Sequence, residues 1–156
     1  MNAVYSTNQE WHKNVSDHTD DQNGYMYLVN IPQKIETIFR LNVTNLTVGF
    51  RYEFSAYLAN VFKPKGTSVK PNIRFKSESV SSNGKSSLIK ELITGDISEC
   101  TSITWFKYSL AFTATSSSSI LSMISEQQRA TGNVIAIDDI ELLAFPPNQL
   151  DVCPSG

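Results

Sequence analysis

Short runs in which apolar and polar residues alternate dominate the chain, and turn-forming residues bound them. Tyr25 to Val29 follows the turn pair Asn23-Gly24. In Thr37 to Val43, Phe39, Leu41 and Val43 fall on one face, with Arg40 and Asn42 on the other. Tyr52 to Val61 sets Phe54, Ala56 and Leu58 opposite Glu53, Ser55 and Tyr57. Further along, Ile73 and Phe75 alternate with Arg74 and Lys76, and Phe106, Tyr108, Leu110 and Phe112 alternate with Lys107, Ser109 and Thr113. Ile120 to Ile124 and Val134 to Leu143 complete the set. A period of two is what a strand with one dry and one wet face requires.

Between these runs, Ser77 to Ser87 and Thr113 to Ser119 are rich in Ser, Gly, Asn and Thr and read as loops. One weak helical pattern covers Ser122 to Ala130 and stops at Gly132. About eight strands at this spacing predict an all-β fold, a two-sheet antiparallel β-sandwich of jelly-roll type. The expected organisation is an N-terminal extension over residues 1–10, a sandwich over 11–145 and a tail or linker over 146–156. Pro146, Pro147 and Pro154 in that polar tail suit one module of a larger protein.

The length of 156 residues fits one domain with a sizeable core. A net charge of −2, with basic and acidic residues interspersed, leaves no basic stripe. Nucleic acid and anionic membranes are therefore not expected as partners. No apolar run nears the roughly 20 residues that span a bilayer, so membrane insertion is not expected either. The residues from Met1 to Glu10 lack the regions of a signal peptide. Cys100 and Cys153 allow one disulfide or two thiols. Sequons at Asn14, Asn42 and Asn45 are about as many as this composition produces by chance.

Chemistry is carried by two segments, Asp17-His18-Thr19 with Gly24-Tyr25-Met26, and Gly132 to Leu142. Strand parity groups Asp138 with Ala136, Ile140 and Leu142 on the apolar face. A carboxylate there needs either a hard cation such as Ca²⁺ or several N–H donors. Asp17, Asp20 and Asp21 offer further oxygen ligands. No nucleophile elbow, phosphate loop, HExxH or CxxC accompanies the two histidines, His12 and His18, and His18 is expected to serve as a structural hydrogen-bonding residue. A glycosidase pair of Glu53 with Asp138 is opposed by parity, and no catalytic residue is expected. A sugar platform would need aromatic rings on a wet face; Tyr57 meets that, flanked by Asn60 and Arg74, with Trp105 beside Lys107.

The runs DHT at Asp17 to Thr19, GYM at Gly24 to Met26 and GNVIAIDDIEL at Gly132 to Leu142 resemble the extracellular MAM domain. They are also similar to galactose-binding-like jelly rolls, which include many carbohydrate-binding modules. The stretch from Asn45 to Asn60, with Gly49 before YEFSAYLAN, leans towards the latter. The cysteines depart from the MAM pattern, only Cys153 having a comparable position. The resemblance implies a structural Ca²⁺ near the ends of the first and last strands, with Asp17 and Asp138 as ligands. It further implies an extracellular or cell-surface, lectin-like module for a glycan. The alternatives are a MAM-type adhesion module for a cell-surface or matrix protein and, as a minor reading, a glycan hydrolase or its accessory jelly roll.

Overall fold

The computed structural model describes residues 9–13, 15–19, 24–64, 69–129 and 132–147. Among them the strands are β1 (Tyr27–Asn30), β2 (Glu36–Val43), β3 (Arg51–Asn60), β4 (Asn72–Val80), β5 (Ser86–Asp96), β6 (Phe106–Thr113), β7 (Ser119–Ser125) and β8 (Val134–Phe145). They form two four-stranded sheets, ordered β1-β8-β3-β6 and β2-β7-β4-β5, and every pairing is antiparallel. The predicted two-sheet jelly-roll sandwich is the observed fold.

Alternation in the sequence becomes packing between the sheets. Phe54, Ala56 and Leu58 of β3 face Ile73 and Phe75 of β4 and Met123 of β7 in the main core, and all six are at most 1% exposed. Ile135 and Ile137 of β8 join them. Full burial of each of these side chains larger than alanine contributes about 1.5–3 kcal/mol.

A second, smaller core lies on the outer face of the first sheet. There Ala59, Val61, Phe62, Val134 and Ala136 are covered by Trp11, Met26, Leu28, Ile103 and Trp105. The segment around Trp11 is pinned by its bridge to Phe62 and by the His12 N–H to the Val61 carbonyl at 2.9 Å. The ring of His12, 7% exposed, donates from Nε2 to the Cys100 carbonyl at 3.0 Å. One end of this sheet is therefore dry on both faces.

Three expectations need correction. The helix expected over Ser122 to Ala130 does not form among the described residues, which reach 129: β7 runs to Ser125, and the Glu126 N–H then bonds to the Asn72 carbonyl at 2.8 Å, extending the pairing with β4. The loop expected over Ser77 to Ser87 contracts to five residues, 81–85, because β4 continues to Val80 and β5 begins at Ser86. The strand parity assumed for β8 also fails. Ser55 pairs with Glu141 and Tyr57 with Asp138, so Asp139 and Ile140 together oppose Ala56 in a bulge. Asp139 takes φ 46° there. The bulge turns Ala136 and Asp138 to the outer face and Leu142 to the inner one, whereas unbroken alternation would keep all three together.

Candidate functional site

The bulge in β8 organises the outer face of the sheet β1-β8-β3-β6. Asp138 lies opposite Tyr57 on that face, half-buried at the rim of the second core. Its Oδ2 accepts the His18 backbone N–H at 2.8 Å, and its Oδ1 accepts the Asp139 N–H at 2.8 Å. Asp139 Oδ2 accepts from His18 Nδ1 at 2.7 Å. The His18 ring stacks on Tyr57, with centroids 3.4 Å apart and planes at 18°, and meets Trp105 edge-on at 6.1 Å. His18 is thus the structural hydrogen-bonding residue expected of it, and it carries the N-terminal segment onto the last strand.

Asp17 is 4% exposed and lies against Gly24. A Cβ added to Gly24 would sit 1.2 Å from Asp17 Oδ2, so the DHT and GYM runs are complementary pieces of one packing contact. Hard-oxygen donors of this kind suit Ca²⁺ in chemistry. Among the described residues, no three His, Cys, Asp or Glu side chains converge in a ligating group, so Asp17 and Asp138 would hold an ion only with carbonyl or water oxygens added. Asp20 and Asp21 lie outside the described residues, as do Asn14 and Cys153.

Not all of the expected ligand residues share this place. Tyr57 is half-buried with one ring face covered by His18, and the Lys107 ammonium stands 5.7 Å from its ring centroid. Trp105 packs in the second core beside it. Asn60 does not flank Tyr57: it is 3% exposed, donates to the Ile97 carbonyl at 3.0 Å and accepts the Phe62 N–H at 3.0 Å. Arg74 is on the other sheet. Its guanidinium grips Glu126 at 2.8 and 3.1 Å and Glu91 at 3.0 Å, and those bonds, Glu126 foremost, raise its pKa further.

Parity no longer opposes Glu53 with Asp138, because both lie on the outer face of the first sheet. Separation does: four residues along β3 part them by roughly 13 Å at about 3.3 Å per residue. That exceeds the span over which paired carboxylates work on a glycosidic bond.

Two tyrosines that parity did not single out are far more open. Tyr25 is 73% exposed and Tyr27 54%. With Ile140, Asp138 and Asp139 they line an open groove of about 360 Å³ beside β1. The signal was present in the alternation of YMYLV, but an exposed aromatic on a short edge strand looks in sequence like any half-buried strand residue.

The fold, two packed four-stranded antiparallel sheets, is shared with solved structures. It is similar to the C-terminal domain of EclA, a sugar-binding protein, with a TM-score of 0.55 and 21% identity, covering 79% of this chain and 80% of that one. Similarity extends to the CBM22-1 xylan-binding domain of Paenibacillus barcinonensis Xyn10C (TM-score 0.45, 17% identity, 67% and 62% covered). A family 16 carbohydrate-binding module has a TM-score of 0.42 and 15% identity, with 76% and 75% covered. No family model and no curated protein sequence matches the chain.

Proposed function

We propose that this chain is a non-catalytic carbohydrate-binding module, extracellular or on the cell surface, that takes a sugar ring in the groove beside β1. The observation that carries the reading is the pair of open tyrosines, Tyr25 and Tyr27, next to the carboxylates of Asp138 and Asp139. A pyranose presents an apolar C–H face to an aromatic ring and a rim of hydroxyl donors to planar acceptors. The groove supplies both. Its volume is at the lower end of the range for small-molecule sites. The likeness in fold to the sugar-binding domain of EclA supports the reading.

His18, stacked on Tyr57 and edge-on to Trp105, holds Asp139 at the bulge beside the groove. A structural Ca²⁺ at Asp17 and Asp138 belongs to the same proposal. Each contact is weak, and neighbouring modules of a larger protein would supply avidity.

Screening against immobilised glycans, followed by calorimetry on the best binder, tests this. Tyr25→Ala and Tyr27→Ala are each expected to weaken binding about tenfold, as loss of an aromatic anchor does. Glycan binding unchanged in both variants overturns the groove. Association with a cell-surface or matrix protein and with no sugar favours the MAM-type adhesion reading instead.

A further inference from the structure

The open side of the sandwich, where the edge strands β5 and β6 of the two sheets meet, holds a larger cleft of about 500 Å³. Its lining differs in kind from the groove at β1. Arg51 and Lys90 supply two cations, Thr113 and Thr115 supply hydroxyls, and Ile89 and Phe112 contribute apolar surface. Among the described residues, no carboxylate lines it. Glu53 shares the outer face with Arg51, two residues along β3, yet is not part of the lining. Glu91, next to Lys90 on β5, turns the other way and pairs with Arg74.

Neither Arg51 nor Lys90 forms an ion pair among the described residues, in contrast to Arg74, Lys76 and Lys107. Arg51 is also positioned: its guanidinium carbon stands over the Phe145 ring, 5.6 Å from the centroid. A guanidinium stacked on a ring keeps its N–H edge available for a bidentate acceptor. The chain as a whole carries −2, so this is a local concentration of positive charge on an acidic protein.

We propose that the cleft between β5 and β6 is a second ligand site that takes the anionic group of an acidic sugar residue. The carboxylate or sulfate would meet Arg51 and Lys90, the sugar hydroxyls Thr113 and Thr115, and its C–H face Ile89. Two isolated cations beside apolar surface and hydroxyls match one charged sugar ring better than a phosphate backbone, which calls for a basic stripe. The sugar in this inference rests on the glycan-binding reading above; the anion rests on the cleft alone.

Calorimetric titration with three oligosaccharides of equal length tests it: an oligogalacturonate, a sulfated galactan and a neutral galactan. Acidic oligomers are expected to bind better than the neutral one and to weaken as salt rises. Arg51→Gln and Lys90→Gln should each lower acidic-oligomer affinity about tenfold, the scale of a lost charge-assisted hydrogen bond. Which acidic oligomer binds tells carboxylate from sulfate. Circular dichroism confirms that both variants fold. Equal affinity for acidic and neutral oligomers, or acidic binding unmoved by both variants, overturns the cleft and leaves the groove standing if Tyr25→Ala still acts. Acidic binding through the cleft with no neutral binding through the groove upholds this site and removes the other. Absence of all glycan binding overturns both.

Discussion

His18 is stacked on Tyr57 with 3.4 Å between ring centroids, and the same imidazole donates from Nδ1 to Asp139 at 2.7 Å. One side chain thus joins the N-terminal segment to β3 by stacking and to β8 by a hydrogen bond. Asp139 occupies the left-handed region, which costs a residue with a Cβ on the order of 1 kcal/mol unless its surroundings compensate. Aspartate is among the residues that tolerate this region, and the bonds of Asp139 to His18 and of its N–H to Asp138 offset the cost.

Removal of His18 is expected to loosen the bulge. His18→Ala loses a hydrogen bond and a stacked pair, together about 1–2 kcal/mol in urea unfolding. His18→Phe keeps the stack and should recover part of the loss. Equal stability of His18→Ala and wild type would show that the His18 ring adds nothing to the bulge.

Gly24 admits no side chain, because the Asp17 carboxylate fills the place of its Cβ. Gly24→Ala must displace a buried carboxylate, with an expected cost of roughly 2–3 kcal/mol, in the range of overpacked sites. The effect is local and therefore coupled: in an Asp17→Ala background the same substitution should cost far less. A double-mutant cycle by thermal unfolding reads this directly. Additive costs would mean that the two residues do not compete for one space.

Much of this architecture was legible as alternation, and the failures have physical causes. Strands β3, β4 and β6 each bury one face against the core, so their period of two is plain in the sequence. Strand β5 shows no such period. Its apolar residues Leu88, Ile89, Leu92 and Ile93 fall in a helix-like spacing. The register shift against β4 at Ile89 lets both Ile89 and Leu92 reach the core, while Leu88 and Ile93 stay exposed as an edge strand permits. The bulge at Asp139 misled in the same way, because a single extra residue inverts every later face. Asp138 needs partners among its apolar neighbours and finds two N–H groups, but the bulge puts it on the face opposite Leu142, which unbroken alternation would not. Tyr57 and Trp105 do come together with it. Asn60, three residues on from Tyr57 in the same strand, falls on the opposite face, and Arg74 is apart because alternation says nothing about which sheet a strand joins.

A Ca²⁺ ion at Asp17 and Asp138 makes the sharpest remaining prediction, because Asp138 already accepts two N–H groups. An ion would use the second lone pair on each carboxylate oxygen, so the two roles are compatible and must be separated by their response to metal. Binding to the folded state alone raises stability by about 2.7 kcal/mol at a hundredfold excess over the dissociation constant. Thermal unfolding with added Ca²⁺, then with a chelator, is expected to show a rise in Tm for wild type that the chelator reverses. Asp138→Ala should abolish the rise. If Asp138 is only an acceptor for His18 and Asp139, the substitution lowers Tm by one fixed amount, the same with Ca²⁺ and with chelator. A Tm for wild type that ignores Ca²⁺ altogether rules out the ion and leaves the two N–H groups as the whole compensation of that carboxylate.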